Sequence, residues 1–303
     1  MKSAALAAAG ISTGSALQAK EKDAQSGMAL FSKENDLFFS ISLAQWSLNK
    51  ALFGGELDNL DFPAYAKNKF DIHAVEYVNQ FFKSAEKSYI SELLKRTEDI
   101  DVKNVLIMVD QEGNPGEVDD AKRKQAVENH YKWVEAAQML GCHSIRVNAG
   151  GQGTEEEVAF SATKSLRELS QFAADYGINV IVENHGGFSS RASWLVSVIR
   201  NTGVINCGVL PDFGNFRVSR TENYDLYLGM KELMPLAKGV SAKSHEFDEE
   251  GNETTKDFYR ILKIVKDSGF RGYIGIEYEG RTLSQDDGIM ATKNLLIKAG
   301  QAI

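Results

Sequence analysis

Eight short apolar segments recur along the chain at a spacing of about 30 residues, and a segment with helical periodicity follows each of them. They are rich in β-branched and aromatic residues, as strands are, and read "LFFSISLAQWSL", "DIHAVEYVNQFF", "NVLIMVDQ", "HSIRVNAGG", "INVIVENHGG", "INCGVLPDFGN", "GVSAKSHEFD" and "GYIGIEYEG". This repetition predicts an α/β fold, a single-domain (β/α)8 TIM barrel over residues 37–303. The sequence contains no GxGxxG or GxxxxGK phosphate loop, which argues against an open nucleotide-binding sheet.

Helical periodicity is clearest in the segments between the later strands. One helix is predicted over residues 121–140 and ends at Gly141, a residue type common just after a helix. His130 is predicted to lie on the solvated face of this helix. A second helix carries apolar residues at helical spacing from 166 to 176 and is closed by Gly177.

The composition restricts the class of protein. With 303 residues, 43% of them hydrophobic, the chain can bury a large core. The formal net charge is -8 with acidic and basic residues interspersed, which argues against binding nucleic acid or anionic lipid. The sequence has no apolar run long enough to span a membrane. Cys142 and Cys207 lack CxxC spacing, which predicts buried thiols rather than a disulfide.

Residues 1–30 are predicted to lie outside the folded domain. The segment "MKSAALAAAGISTGSALQA" has an early lysine and a run of small apolar residues, and the charged segment "KEKDAQSG" follows it. This order is typical of a secretory signal, or of the apolar part of a twin-arginine signal whose arginines would lie upstream. It predicts export to the periplasm. The alternative is a disordered alanine-rich tail on a cytoplasmic protein.

The last four predicted strands end in side chains that can bind a metal ion: Glu183, Asp212, His245 and Glu277. In a parallel barrel, the carboxyl ends of the strands meet at one rim, where the catalytic groups lie. Three carboxylates and one imidazole there predict a site for one divalent ion, with Mn²⁺ or Mg²⁺ favoured and Zn²⁺ as the alternative. A metal would also supply the positive charge that a carboxylate such as Glu183 needs after the apolar residues 180–182.

The same residues carry a resemblance. The segments "VIVENHGG", "GVLPDFGNF", "SAKSHEFDEEG" and "GYIGIEYEG" resemble the sugar phosphate isomerase/epimerase family, the xylose isomerase-like TIM barrels related to ketose 3-epimerases and endonuclease IV. The resemblance covers nearly the whole chain after residue 37. It implies that Glu183, Asp212, His245 and Glu277 bind one divalent metal.

Departures from two groups of related proteins limit what the resemblance implies. Ketose 3-epimerases have a substrate-binding His three residues after the Asp of the sixth strand, where this chain has Asn215, and an Arg soon after the His of the seventh strand, which "HEFDEEGNE" lacks. The related DNA-repair enzymes need extra His and Asp ligands for a three-metal cluster, and the third and fourth strands here end without a His. The pattern favours a single metal ion and argues against DNA as a substrate.

Four further residues are predicted to contact a substrate: Trp46, His185, Asn215 and Lys243. His185 shares a strand face with Glu183 and precedes two glycines, which let a ligand approach the backbone. Lys243 faces the barrel interior, either in a structural ion pair with Glu76 or as a cation beside the substrate's oxygens. Trp46 ends the first strand and forms either an aromatic wall for a sugar or part of the core.

The predicted ligands favour a metal-dependent isomerase or epimerase acting on a keto-sugar or related carbohydrate. A divalent ion that chelates a carbonyl and its neighbouring hydroxyl stabilises an enediolate, while Glu183 and Glu277 act as base and acid. Return of the proton to the opposite face gives epimerisation, and return to the neighbouring carbon gives isomerisation. The alternatives are a metal-dependent lyase or dehydratase on a keto-sugar or cyclitol, and a non-catalytic carbohydrate-binding barrel. A homo-oligomer is compatible with the sequence.

Overall fold

The computed structural model describes residues 37–303, and Phe38–Ile303 forms one compact unit. Its strands are β1 (Ser40–Ala44), β2 (Ala74–Val78), β3 (Lys103–Met108), β4 (Ser144–Val147), β5 (Asn179–Glu183), β6 (Cys207–Leu210), β7 (Val240–Ser244) and β8 (Tyr273–Tyr278). Each strand overlaps the segment predicted for it. The signal predicted over residues 1–30 lies outside the described residues.

The strands form one parallel sheet in the order β6-β5-β4-β3-β2-β1-β8-β7. Backbone hydrogen bonds join its two ends: the amide of Lys238 donates to the carbonyl of Val209 (3.1 Å), that of Ser241 to Pro211 (2.9 Å) and that of Phe213 to Ser241 (3.0 Å). These five residues define the β6–β7 seam. The seam closes the sheet on itself, which confirms the predicted TIM barrel.

Helices connect the strands, and in the described residues they are α1 (Asn49–Phe53), α2 (Phe62–Phe70), α3 (Lys87–Asp99), α4 (Asp120–Leu140), α5 (Glu155–Ala174), α6 (Ala192–Thr202), α7 (Leu226–Leu233), α8 (Phe258–Asp267) and α9 (Gln285–Gln301). The predicted stop of α4 is confirmed, since Gly141 follows it with a φ of 73°. The prediction for His130 is wrong: its ring is buried and Nδ1 lies 2.6 Å from the carbonyl oxygen of Ala126. None of the described helices is long and apolar enough to cross a membrane.

An apolar cluster and a group of charged residues share the barrel interior. Ala74 and Ile181 belong to a buried apolar cluster with Leu106 and Leu210. Side chains two positions apart share a strand face, so Glu76 follows Ala74 into the interior and Glu183 follows Ile181. Both carboxylates are buried. The strands therefore deliver charged groups into a site that is shielded from water.

Candidate metal centre

Three of the four predicted metal ligands converge. Glu183 is the last residue of β5, Asp212 lies two residues beyond β6, and Glu277 lies on β8. Each offers a carboxylate oxygen, and these three oxygens all lie within 4.8 Å of one another. All three residues are buried, with relative exposures of 1%, 0% and 4%. The ends of three strands thus place hard oxygen donors at one point.

Local hydrogen bonds fix the position of Asp212. Its Oδ1 accepts from the backbone amides of Gly214 (2.7 Å) and Asn215 (2.9 Å). Its Oδ2 accepts from the hydroxyl of Ser241 on β7 at 2.7 Å. Asn184, which follows Glu183, accepts from the Asp212 amide at 2.8 Å and donates to its carbonyl at 3.1 Å. Hydrogen bonds from the surrounding chain therefore fix the position of the Asp212 carboxylate.

Lys243 supplies positive charge inside this cluster. Its Nζ lies 3.0 Å from Glu277 Oε1, 3.0 Å from Glu279 Oε1 and 3.9 Å from Asp212 Oδ2. The prediction of an ion pair with Glu76 is wrong, because Lys243 turns toward Glu277 on β8 and Glu279 just beyond it. Glu76 instead accepts a 2.6 Å hydrogen bond from Ser42 on β1. Lys243 is itself 4% exposed, and the surrounding carboxylates raise its pKa despite the opposing effect of burial.

Arg146 on β4 is a second buried cation that the sequence analysis did not single out. Its Nη1 donates to Asp110 Oδ1 at 2.7 Å, and its Nε lies 2.9 Å from Glu183 Oε2. This second contact lacks hydrogen-bond geometry, so Glu183 Oε2 is a buried oxygen without a hydrogen bond. The sequence does contain a pattern that indicates Arg146. It is a charged residue within the apolar strand "SIRV", just as Glu183 is a charged residue at the end of the apolar strand "VIVE".

The carboxylates of the rim and interior outnumber the cations in contact with them. The cations are Arg146 and Lys243, and the carboxyl groups within 4.0 Å of them are Asp110, Glu183, Asp212, Glu277 and Glu279. Burial raises the pKa of Glu183 to about 7 and that of Asp212 to about 6, although Arg146 and Lys243 oppose the shifts. Burial also acts on Glu277, but Lys243 outweighs it and holds the Glu277 pKa below its ordinary value.

These residues fit a divalent cation. Hard carboxylate oxygens are the donors that Mg²⁺ and Mn²⁺ prefer. The Glu183 oxygen without a hydrogen bond offers a free lone pair, and the excess of negative charge would be relieved by a bound cation. Burial of the three ligands limits competition from bulk water.

His245 does not join the three carboxylates. Its side chain is 39% exposed, and its Nδ1 accepts a 3.0 Å hydrogen bond from Lys256 Nζ. Lys256 also donates to Glu253 Oε1 at 2.8 Å, so these three residues form a separate polar group beside the rim. The role of His245 as a fourth ligand stays a prediction.

The predicted substrate contacts lie at different distances from this cluster. Asn215 is within it: Nδ2 donates to Glu183 Oε1 at 2.7 Å, and Oδ1 lies 3.4 Å from Lys243 Nζ. His185 lies two residues beyond β5 and is exposed. Partial removal of its ring from water lowers its pKa, and the charge of Arg146 lowers it further. Trp46 follows β1 and is half-buried.

The Trp46 ring packs beside two phenylalanines at the same rim. Its ring centroid lies 6.0 Å from that of Phe53 and 6.2 Å from that of Phe81. Trp46 also packs against the core cluster, so the structure gives it both an exposed and a buried surface. The next residue, Ser47, exchanges 3.0 Å hydrogen bonds with the backbone of Ile276 and Tyr278, on either side of Glu277. The aromatic group is thereby tied to β8.

Solved structures with this fold include several sugar epimerases. L-ribulose 3-epimerase matches with a TM-score of 0.70 and 12% identity, over 87% of this chain and 95% of that one. The 3-keto-D-glucoside 4-epimerase of E. coli matches with a TM-score of 0.62 and 15% identity, over 88% of this chain and 100% of that one. A probable 3-DHS dehydratase of Bacillus anthracis matches with a TM-score of 0.64 and 15% identity, over 85% and 98%. At these identities the likeness shows the fold alone.

Two similar structures contain metals. The IOLI protein holds a zinc atom (TM-score 0.68, 13% identity, 87% and 99% coverage), and a xylose isomerase-like TIM barrel protein of Mycobacterium smegmatis is in complex with magnesium (0.65, 15%, 87% and 97%). Over 53 residues, the chain is 38% identical to the C-glycoside deglycosidase alpha subunit of Arthrobacter globiformis. That match spans 18% of this chain and only 15% of the relative's length.

A family model covers most of the barrel. The model described as "Xylose isomerase-like TIM barrel" matches residues 64–299, which run from within α2 to the last turn of α9 and include every residue of the carboxylate cluster. Together with the closed parallel sheet, this match shows that the chain belongs to the xylose isomerase-like TIM barrel family.

Proposed function

We propose that this protein is a divalent-metal-dependent enzyme that epimerises or isomerises a keto-sugar or related carbohydrate through an enediolate. The observation that carries the proposal is the convergence of Glu183, Asp212 and Glu277, buried and rich in negative charge at the catalytic rim of the barrel. The epimerases among the structures of the same fold support it.

Glu183, Asp212 and Glu277 would hold the ion, with His245 as the predicted fourth ligand. When bound, a divalent ion polarises a carbonyl and a neighbouring hydroxyl, and so acidifies the adjacent C–H bond. The oxygen-rich donor set favours Mn²⁺ or Mg²⁺, with Zn²⁺ as the alternative.

The residues of the chain then move the proton. Glu183 is suited to act as the base, because its buried Oε2 accepts no hydrogen bond. Lys243 donates to the oxygens on which negative charge develops. Glu277 on β8 acts from a different side: it delivers a proton that the ammonium of Lys243, 3.0 Å away, supplies to it, while Glu183 keeps the proton that it has removed. His185, Asn215 and Trp46 contact the sugar.

Elimination is the second candidate reaction. The dehydratase among the similar structures and the short match to a deglycosidase subunit favour it. The same carbanion would form, and loss of a β-substituent would replace return of the proton. The substrate would then yield water or an aglycone in addition to an unsaturated sugar.

The first test is metal analysis joined to a turnover screen over keto-sugars. We expect one divalent ion per chain, lost on chelation together with turnover, and regained with Mn²⁺. Asp212→Ala should lose the ion, since it removes a ligand that four hydrogen bonds from the surrounding chain position. Near-full occupancy in Asp212→Ala would refute the site. Product analysis by NMR separates an isomer from an elimination product.

We also propose that the protein is exported, on the evidence of the signal-like sequence in residues 1–30. The N-terminus of protein purified from its native cell should lie beyond residue 15, which falls in the second half of the apolar run. N-terminal sequencing measures this directly. An intact Met1 on protein from the cytoplasmic fraction would contradict export.

A further inference from the structure

The ammonium group of Lys243 lies among the carboxylates that would bind the metal. Its Nζ is 3.0 Å from Glu277 Oε1 and 3.9 Å from Asp212 Oδ2, so it contacts two of the three candidate ligands. Oε1 of a third carboxylate, Glu279, also lies 3.0 Å from Nζ. A positive charge from the chain itself thus lies inside the cluster of candidate ligands.

The position of this ammonium is constrained by packing. Lys243 is 4% exposed and stands on β7, between Asp212 at the end of β6 and Glu277 on β8. Its aliphatic chain lies against Gly214, where an added Cβ would come within 2.9 Å of Lys243 Cδ. Asn215 Oδ1, 3.4 Å from Nζ, borders it on the side of Glu183. The side chain therefore has little freedom to move its charge out of the cluster.

We propose that Lys243 is an internal competitor for the divalent ion, whose ammonium shares Glu277 and Asp212 with the metal and lowers the affinity of the site for it. This inference rests on the metal site of the proposed function. A fixed positive charge repels a second cation at short range, most strongly where water is excluded. Its presence also keeps the carboxylates together without the ion, since it offsets part of their mutual repulsion.

The test is calorimetric titration of chelator-treated protein with MnCl₂, which needs no substrate. Lys243→Met keeps an unbranched side chain, one atom shorter, and removes its charge, so we expect the Kd for Mn²⁺ to fall by at least about tenfold. Lys243→Gln, which can still donate hydrogen bonds to the carboxylates, should show a fall in the same direction and replaces the Met variant if that fails to fold.

Lys293→Met is the matched control. Lys293 is also 4% exposed, but it donates to the carbonyls of Phe70 and Asp71, which precede β2 at the opposite end of the barrel. The same substitution there should leave the Kd for Mn²⁺ unchanged. A general loosening of the barrel would affect both variants, whereas charge competition affects only Lys243.

The outcomes separate this inference from the proposed function. Tighter binding of Mn²⁺ in both Lys243 variants than in the unmodified protein supports the competition and the proposed metal site. If the variants bind Mn²⁺ and the unmodified protein does not, the competition is supported but the metal dependence of the natural enzyme is refuted. Equal or weaker binding in the variants overturns the competition and leaves the metal site standing. If no form binds Mn²⁺, both fail.

Discussion

Among single residues, Glu76 shows most directly what burial does to a carboxylate in this barrel. It is 1% exposed, and its Oε2 has no hydrogen-bond partner. Burial raises its pKa to about 8, although the hydrogen bond from Ser42 opposes the shift. Between the ordinary value of 4.5 and about 8, the folded state therefore holds a proton that the unfolded chain has released. Stability falls as the pH rises through this range.

Glu76→Gln should remove this dependence. The amide keeps the shape of the carboxyl group and cannot ionise, so the variant should gain stability over the unmodified protein as the pH rises from 5 to 8.5, by about 2–4 kcal/mol. Urea unfolding of metal-free protein at both pH values measures the gain. Glu250→Gln, on an exposed turn, should show none. A constant difference between Glu76→Gln and the unmodified protein across this range would contradict a buried ionisation.

The acid and base roles can be assigned by a second pair of variants. Glu183→Gln and Glu277→Gln keep one coordinating oxygen and lose basicity, so both should retain metal and lose at least about 100-fold in turnover. With a substrate found in the screen and incubated in D₂O, Glu183→Gln should fail to introduce deuterium beside the carbonyl. Glu277→Gln should still exchange without completing the reaction. Full turnover in both variants with the metal in place would disprove the assignment.

At the scale of elements, strand and helix positions could be predicted because the alternation of residue types is local. Contacts at the strand ends could not be predicted, because side chains alternate between the two faces of a sheet only while the chain is extended. Lys243 and His245 share a face by count, but β7 ends at Ser244 and His245 turns to Lys256. Glu183 is still on its strand and points inward as predicted. The partner of Lys243 depends on which strands become neighbours, which local sequence does not encode.

Gly275 on β8 shows how one element makes room for the charge on another. A Cβ at this position would lie 2.6 Å from both carboxylate oxygens of Glu76. Gly275→Ala should therefore destabilise the fold by about 1–3 kcal/mol through overpacking. Gly150→Ala is the control, since its Cβ would come no closer than 3.7 Å to a side chain. In a double-mutant cycle measured by denaturation, Glu76→Ala should offset much of the stability lost in Gly275→Ala. Additive losses of stability would argue against this clash.

At the scale of the whole molecule, closure of the barrel and binding of the metal involve the same residues. The β6–β7 seam is held by the three backbone hydrogen bonds described above, and Pro211 within it has no amide to donate. Ser241 in the seam also donates to Asp212 at 2.7 Å and lies 3.1 Å from Glu277. An ion held by Glu183, Asp212 and Glu277 would connect β5, β6 and β8 across this join.

Metal binding should therefore slow the opening of the seam more than that of other strand pairs. We expect saturating Mg²⁺ to reduce amide hydrogen exchange in peptides that contain Phe213, Lys238 and Ser241, since a ligand that binds only the closed state stabilises it by about 2.7 kcal/mol at 100 times its Kd. Peptides from the β2–β3 pair serve as the internal reference. Asp212→Ala should abolish the added protection because it removes the ligand at the seam. If Mg²⁺ slows amide exchange equally in all strands, the ion stabilises the whole fold and does not act specifically on the β6–β7 seam.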